Sequence, residues 1–353
     1  MAGFALFRLP YQQHTVLVEQ LSGSPEECGD YAELSGKSGF VVAPFSPSRA
    51  NPILIIRPDR VVVDADTDRL CCSTKDNDNK SSADYHTLFD TFHSKLTNGE
   101  FQKLVLSRSI TIDRQRNTSP TKLFNDACHR YPRMMIMLVS TPRCGTWLAA
   151  TPETLLAGCG RQWQTMALAG TQQYKQQICW DDKNIEEQHL VATYIQQQLQ
   201  ALGIVSSEIE PRTIRAGNLA HLRSDFTFGM DDATQIGQVL SALHPTPAVC
   251  GLPKQKAYEF ILSHEQHDRS YYSGFMGPLL MDTMLPETAG RQATHLFVTL
   301  RCMEIKQHCC RLYAGGGLLK DSCEQQEWQE TEAKLDTMRM LITEHQKHNH
   351  NNV

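Results

Sequence analysis

The sequence predicts an α+β fold, and three observations carry that reading. Strand-like runs outnumber helical ones and are not regularly separated by helices. No strand leads into a G-x-G-x-x-G turn of the kind used by a doubly wound βαβ sheet. No segment repeats at a fixed period. The 353 residues, 41% apolar and 21% charged, supply ample material for a large core. Length alone allows one large domain or two.

Residues 1–80 form an N-terminal strand-rich segment. "FVVAPF" and "PILIIRPDRVVVDAD" are β-branched runs bounded by Pro, Ser and Asp. "STKDNDNKSSAD" (73–84) is polar enough to be an exposed loop and marks the boundary with a second region, 81–347. That region opens with a helix near 84–98 and the strand "KLVLSRSITID". In "SPTKLFNDACHRYP", a Ser cap and a Pro precede a periodic pattern, which predicts a short helix. Strands follow at "RMMIMLVS", "TWLAAT", "TLLAGC" and "WQTMALAG". The segment 183–203 is the clearest helix, with Leu190, Val191, Tyr194, Ile195 and Leu199 as its stripe and Gly203 as its stop. Helices near 232–243 and 253–264, strands "HLFVTLRCMEI" and "CCRLYAGG", and a helix near 323–346 complete the region. Residues 348–353 are a polar tail.

Charge and cysteine usage exclude several classes. The net charge of −5 is mixed in sign with no Lys/Arg block, so there is no nucleic-acid footprint. Twelve cysteines include two adjacent pairs and no C-x-x-C, which suits neither a disulfide framework nor a thiolate metal site. The N-terminal apolar run is too short for a signal peptide, and no stretch reaches the length of a membrane span. These features predict a reduced, cytoplasmic protein with cysteines as small core residues.

The chemistry concentrates in "AGGGLLKDSCEQQEWQETEAK" (314–334). Ser322 and Gln325 resemble a capping box, so a helix should begin near Cys323. Glu327, Glu330 and Lys334 then share one strip, while Trp328, Leu335, Met338 and Leu341 should face the core. A solvated face is one reading, with a Glu330–Lys334 pair contributing only ~0.3–0.5 kcal/mol. The glycines ahead favour another, in which backbone amides meet an anion. Glu186 and Glu187 open the long helix, and Glu187 borders its apolar stripe. Acids in a first helical turn are favourable by themselves. If Glu187 turns inward to meet Glu330, the two need a shared proton or a cation, and oxygen-only ligands at low count fit Mg²⁺.

Eight segments occur in a telling order: "KLVLSR" (103–108), "TPETLLAG" (151–158), "ALAGT" (167–171), "KNIEEQHLV" (183–191), "LHPTPAVCGLP" (243–253), "HEQHDRSYYSGFMGP" (264–278), "VTLRCMEI" (298–305) and the 312–334 segment. The series closely resembles the chorismate-utilising enzymes, which include isochorismate synthase, salicylate synthase and the anthranilate synthase large subunit. The resemblance covers roughly residues 85–345. It implies two large layered antiparallel sheets flanked by helices, with a deep cleft. It implies that Glu187 and Glu330 hold Mg²⁺, with Glu327 close by, and that the ion holds the ring carboxylate of chorismate. Arg301 and the amides of the glycine turn, Gly315 and Gly316, would receive the second carboxylate. Tyr313, Lys334, His244, Gly170 and Thr171 would line the cleft.

Lys103 stands where amine-adding relatives carry Gln, so the resemblance implies water addition with Lys103 as general base. It also implies Glu153 as the acid that protonates the departing hydroxyl. Each role has a physical demand: an amine able to lose its proton, and a carboxyl kept protonated near neutrality. The implied reaction isomerises chorismate to isochorismate for menaquinone or siderophore synthesis, by a monomer needing no glutaminase subunit. Salicylate synthase, which adds pyruvate elimination, shares both residues and stays open. Three departures stand out. Gly316 replaces the second alanine of the usual Ala-Gly-Ala-Gly turn. Ile185-Glu186 replaces the usual Asp-Arg, which leaves Glu186 as a competing ligand. "QQYKQQ" follows "ALAGT" where relatives carry an arginine.

Overall fold

Strand β1 (Gly3–Arg8) is buried along its whole length, and its alternate side chains go to different cores. Phe4 and Leu6 face one apolar cluster; Ala5 and Phe7 face another. A strand buried on both faces needs a layer on each side, and that requirement shapes the molecule. The computed structural model describes residues 2–67, 69–75, 84–114, 118–285 and 290–350, with side chains to Thr343. The predicted loop at 73–84 and its domain boundary fall largely at 76–83, outside the described residues, as do the last three residues of the polar tail.

From the first 63 residues come β1, β2 (Val16–Gln20), β3 (Glu26–Cys28), β4 (Gly39–Ala43), β5 (Ile53–Ile56) and β6 (Arg60–Val63). Next are α1 (Tyr85–Thr97), β7 (Lys103–Asp113), α2 (Pro120–Arg130), β8 (Met135–Thr141), β9 (Gly145–Thr151), β10 (Thr154–Cys159) and β11 (Gln162–Gln173). The chain continues through α3 (Asp182–Ala201), β12 (Ser206–Ala216), β13 (Leu219–Gly229), α4 (Ile236–Leu243), β14 (Gly251–Leu252), α5 (Lys254–His264) and β15 (Phe275–Leu279). It ends with β16 (Ala293–Val298), β17 (Cys302–Ile305), β18 (Cys309–Leu318) and α6 (Glu324–His350).

Two nine-stranded antiparallel sheets result. One runs β14-β7-β18-β17-β9-β8-β1-β2-β6, the other β12-β13-β11-β10-β16-β15-β4-β5-β3. They face each other across a core of Phe7, Val18, Met137 and Trp147 from the first sheet with Phe40, Val42, Met276 and Phe297 from the second. Helices cover the outer faces: α2 and α6 on the first sheet, α3 and α4 on the second, α1 and α5 over β7 and β14. Each large core side chain contributes about 1.5–3 kcal/mol through burial. Helix ends follow local rules. Ser119 caps α2 with Pro120 at its first position, Asp181 accepts the Asn184 N–H at the start of α3, and Gly203, at φ +74°, closes α3.

Several expectations change. "HLFVTLRCMEI" is two strands: β16 lies in the second sheet and β17 in the first, and the chain crosses between them at Thr299–Arg301. "PILIIRPDRVVVDAD" divides in the same way into β5 and β6. Strands β12 and β13 were not foreseen, because β12 is mostly exposed and lacks an apolar rhythm. Ser322 does not cap α6; its hydroxyl donates to Glu327 at 2.8 Å, while the Cys323 carbonyl accepts from Glu327 N–H. Trp328 is 40% exposed, lying under Arg108 and against Tyr85, while Leu335, Met338 and Leu341 are buried as expected. All twelve cysteines are free thiols, and no described helix is long and apolar enough to cross a membrane.

Gly237 of α4 meets the Ala32 carbonyl so closely that a methyl group would overlap it. Gly237→Ala is therefore expected to destabilise the protein by about 1–3 kcal/mol in urea unfolding; an unchanged midpoint would refute the close approach.

Candidate active site

A narrow cleft lined by residues of both sheets lies between them. The first sheet supplies Val105, Tyr313, Gly315 and Gly317 to its lining, and the second supplies Leu168, Gly170 and Thr171. Glu153 lies just ahead of β10, Arg301 on the passage between sheets, Glu187 on α3 and Lys334 on α6.

Position along each element explains how these groups arrive. In β7, Leu104 and Leu106 pack under α1 and α5, so Lys103 and Val105 point the other way. Lys103 is fully buried and its Nζ meets Glu187 Oε1 at 2.8 Å. Glu187 lies on the buried stripe of α3 with Val191, while Glu186 is exposed. The start of α3 is seated on a bulge in β11 at Gly170, φ +71°, where Thr171 N–H donates to Asn184 Oδ1 at 3.0 Å. A side chain at Gly170 would press on Asn184.

The glycine segment is a strand, not a turn. Gly315, Gly316 and Gly317 pair with Ser107, Leu106 and Val105 of β7. Pairing with β17 stops at Tyr313, so the other edge of β18 opens on the cleft from there. By antiparallel alternation the Gly316 backbone addresses Leu106, and those of Gly315 and Gly317 address the open edge. The Gly315 carbonyl there accepts from Lys334 Nζ at 2.9 Å. The glycines serve by lacking side chains. A methyl on Gly317 would strike Glu187 and the Lys103 stem, and one on Gly316 would crowd Glu327.

Three predicted acids each face a lysine. Glu187 faces Lys103; Glu330 faces Lys334 at 2.6 Å; Glu327 accepts from Lys183 and from Ser322. Burial pushes the Glu187 carboxyl up, but the charges of Lys103 and Lys183 outweigh it and hold it below the usual range. Burial and the neighbouring Glu330 raise Glu327 to about 7 against the pull of Lys183. Burial opposes the charge of Lys183, yet Glu187, Glu327 and Glu330 together raise it. Among the described residues, no three His, Cys, Asp or Glu side chains converge into a metal cage. The donors nevertheless suit a hard divalent ion: all are carboxylate oxygens, and Glu327 Oε2 is buried without a hydrogen-bond partner. Admitting such an ion requires a lysine to give way.

Opposite stand an acid and an unpaired cation. Burial raises Glu153 to about 8, against the lowering pull of Lys103 and Lys334, so it stays protonated at neutral pH. Arg301 is buried, with its backbone held at φ +45° while its carbonyl accepts from Ala150 N–H at 3.1 Å. Its guanidinium donates to Ala216 O at 3.0 Å and to His221 Nε2; among the described residues no carboxylate forms a direct ion pair with it, and Glu330 acts on it only through its charge. A buried cation facing a cleft without a direct ion-pair partner calls for an anionic ligand.

Of the expected cleft residues, Gly170, Thr171, Arg301, Tyr313, Gly315, Lys334, Glu153 and Glu187 line it. Gly316, Glu327 and Glu330 do not. The Gly316 backbone is turned toward β7, and the two acids line a neighbouring hollow with Lys183. Lys103 reaches the cleft only through Glu187. His244 is a correction: it ends α4 with its ring packed edge-on against Tyr31 and Phe275 in the core, where burial lowers it to about 3. The sequence reading missed Lys183 and His221. Lys183 precedes Glu187 by four residues, a spacing that puts both on one helix face; His221 lies on the unforeseen β13.

Residues 61–343 match the family model of the chorismate binding enzymes. The chain is 29% identical over 263 residues to the isochorismate synthase MenF of Escherichia coli, covering 70% of this chain and 57% of the relative. It is 29% identical over 279 residues to the isochorismate synthase DhbC of Bacillus subtilis, covering 72% and 66%. It thus spans less than two thirds of the length of these relatives. The solved menaquinone-specific isochorismate synthase MenF of Escherichia coli shares the fold, with a TM-score of 0.75 at 21% identity over 96% of this chain and 88% of that one.

Removing one partner of a buried ion pair strands the other charge. Lys103→Met is expected to cost about 3 kcal/mol in denaturant unfolding, and Lys103→Met with Glu187→Leu less than the single change. A double variant less stable than either single one would contradict the pairing.

Proposed function

The chain belongs to the chorismate-binding enzyme family, and from that premise we propose that it is an isochorismate synthase. The observation that carries the proposal is what lines the cleft: a buried arginine with no direct ion-pair partner among the described residues, and a carboxyl held protonated. A cyclic dicarboxylate supplies the missing anion. Arg301 and Lys334, with the open-edge amides of Gly315 and Gly317, would bind and orient it. Tyr313 would close one wall.

The proposed reaction adds water to the ring, shifts its double bonds and expels the original hydroxyl. Lys103, once parted from Glu187, would take a proton from the attacking water. Glu153 would give its proton to the departing oxygen, which leaves as water. Glu187 and Glu330, with Glu327 beside them, would hold Mg²⁺, whose charge would fix the ring carboxylate. Lys103 supports water addition over amine addition and hence independence from a glutaminase. The product would serve menaquinone or siderophore synthesis in the cytoplasm.

Product analysis with chorismate and Mg²⁺ is expected to give isochorismate. Salicylate with pyruvate would mean that elimination follows in the same cleft, and no consumption would overturn the proposal. Lys103→Gln is expected to lower kcat by at least ~100-fold; full water-addition activity in this variant would remove Lys103 from its role. Glu153 donates only while protonated and its burial raises it to about 8. The rate should therefore fall as pH rises through about 8, and Glu153→Gln should lose that limb of the profile.

A further inference from the structure

We infer that His221 is the positioning residue that aims Arg301 into the cleft, held as a single tautomer by partners on both sides. The argument is one of donors and acceptors. His221 Nδ1 lies 3.0 Å from the Gly170 carbonyl, which can only accept, so Nδ1 carries the proton. Thr171 Oγ1, at 3.3 Å, lies on the same side. His221 Nε2 faces Arg301 Nη2, which can only donate, so Nε2 presents its lone pair. A proton on Nε2 would set N–H against N–H. The geometry thus specifies the neutral Nδ1–H form.

The surroundings agree with that form. The ring is buried on β13, and the charges facing it are Arg301 from the passage between sheets and Lys334 from α6, both positive. Burial and these two cations push His221 well below its ordinary value. With Ala216 O on its other nitrogen, Arg301 is held at two points. The choice of imidazole has a consequence. An aspartate or glutamate at position 221 would hold the guanidinium equally well but neutralise it. A neutral acceptor fixes its direction and leaves its charge for the ligand. His221 also ties Arg301 to the Gly170 bulge on which α3 and Glu187 are seated. The binding consequence rests on the proposed function; the tautomer does not.

The test has two arms. In the first, ¹⁵N-histidine spectra of the wild-type protein identify His221 by its absence in His221→Gln. The expected pattern is a protonated Nδ1 and a bare Nε2 from pH 5.5 to 8.5. A ring that titrates in that window, or carries its proton on Nε2, overturns the inference whatever the enzyme does. In the second, chorismate kinetics compare two amides. Gln places its amide near the Nε2 position and Asn near the Nδ1 position. His221→Asn is expected to raise KM by about 10–100-fold, the loss of a hydrogen bond to a charged group, with kcat changed less than about threefold. His221→Gln should recover most of that loss, and His221→Asp should raise KM at least as much as Asn. Equal KM values for the Gln and Asn variants would overturn the positioning role. A wild-type protein that leaves chorismate untouched would instead count against the functional proposal, with the spectra still deciding the tautomer.

Discussion

Charge buried in this protein must be balanced locally, and that constraint organises the seam where β7, β18, α3 and α6 meet. Lys103, Lys183 and Lys334 enter from three elements, and Glu187, Glu327 and Glu330 answer from two helices. Unpaired, each buried charge would cost several kcal/mol. The arrangement therefore fixes how α3 and α6 sit on the strands between them. Under the proposed function, a divalent cation would replace ammonium groups there without leaving the acids uncompensated.

The backbone is shaped to admit these charged groups. Three consecutive glycines in a strand sacrifice packing and raise the entropy cost of folding. Here they let carboxylates and a lysine stem approach the β18 backbone more closely than any side chain would allow. The departure from the family pattern, Gly316 in place of alanine, falls beside the unpartnered oxygen of Glu327.

Much of this was legible in the sequence. The apolar runs of β7 to β11 and the stripe of α3 revealed their elements because both are local signals. The ordered motifs located Lys103, Glu153, Glu187 and Arg301. What the sequence concealed were features set by distant partners. "HLFVTLRCMEI" has an unbroken β pattern, and its change of sheet is dictated by which neighbours pair with each half. His244 is followed by proline in a motif that pointed to the cleft, yet the aromatic pocket of Tyr31 and Phe275 claims its ring. His221 carried no signal, because a histidine in a partly exposed hairpin has no mark until Arg301 is seen beside it.

The proposed acid and base come from different sheets: Lys103 from the first, Glu153 from the residue just ahead of β10 in the second. Their spacing therefore follows from how the two sheets stack, across the filling to which Phe7, Trp147, Phe40 and Met276 belong. Trimming or swelling that filling would respace the reacting groups the way a shim alters the gap of a vice. Under the proposed function, such changes, far from the cleft, would register in turnover as well as in stability.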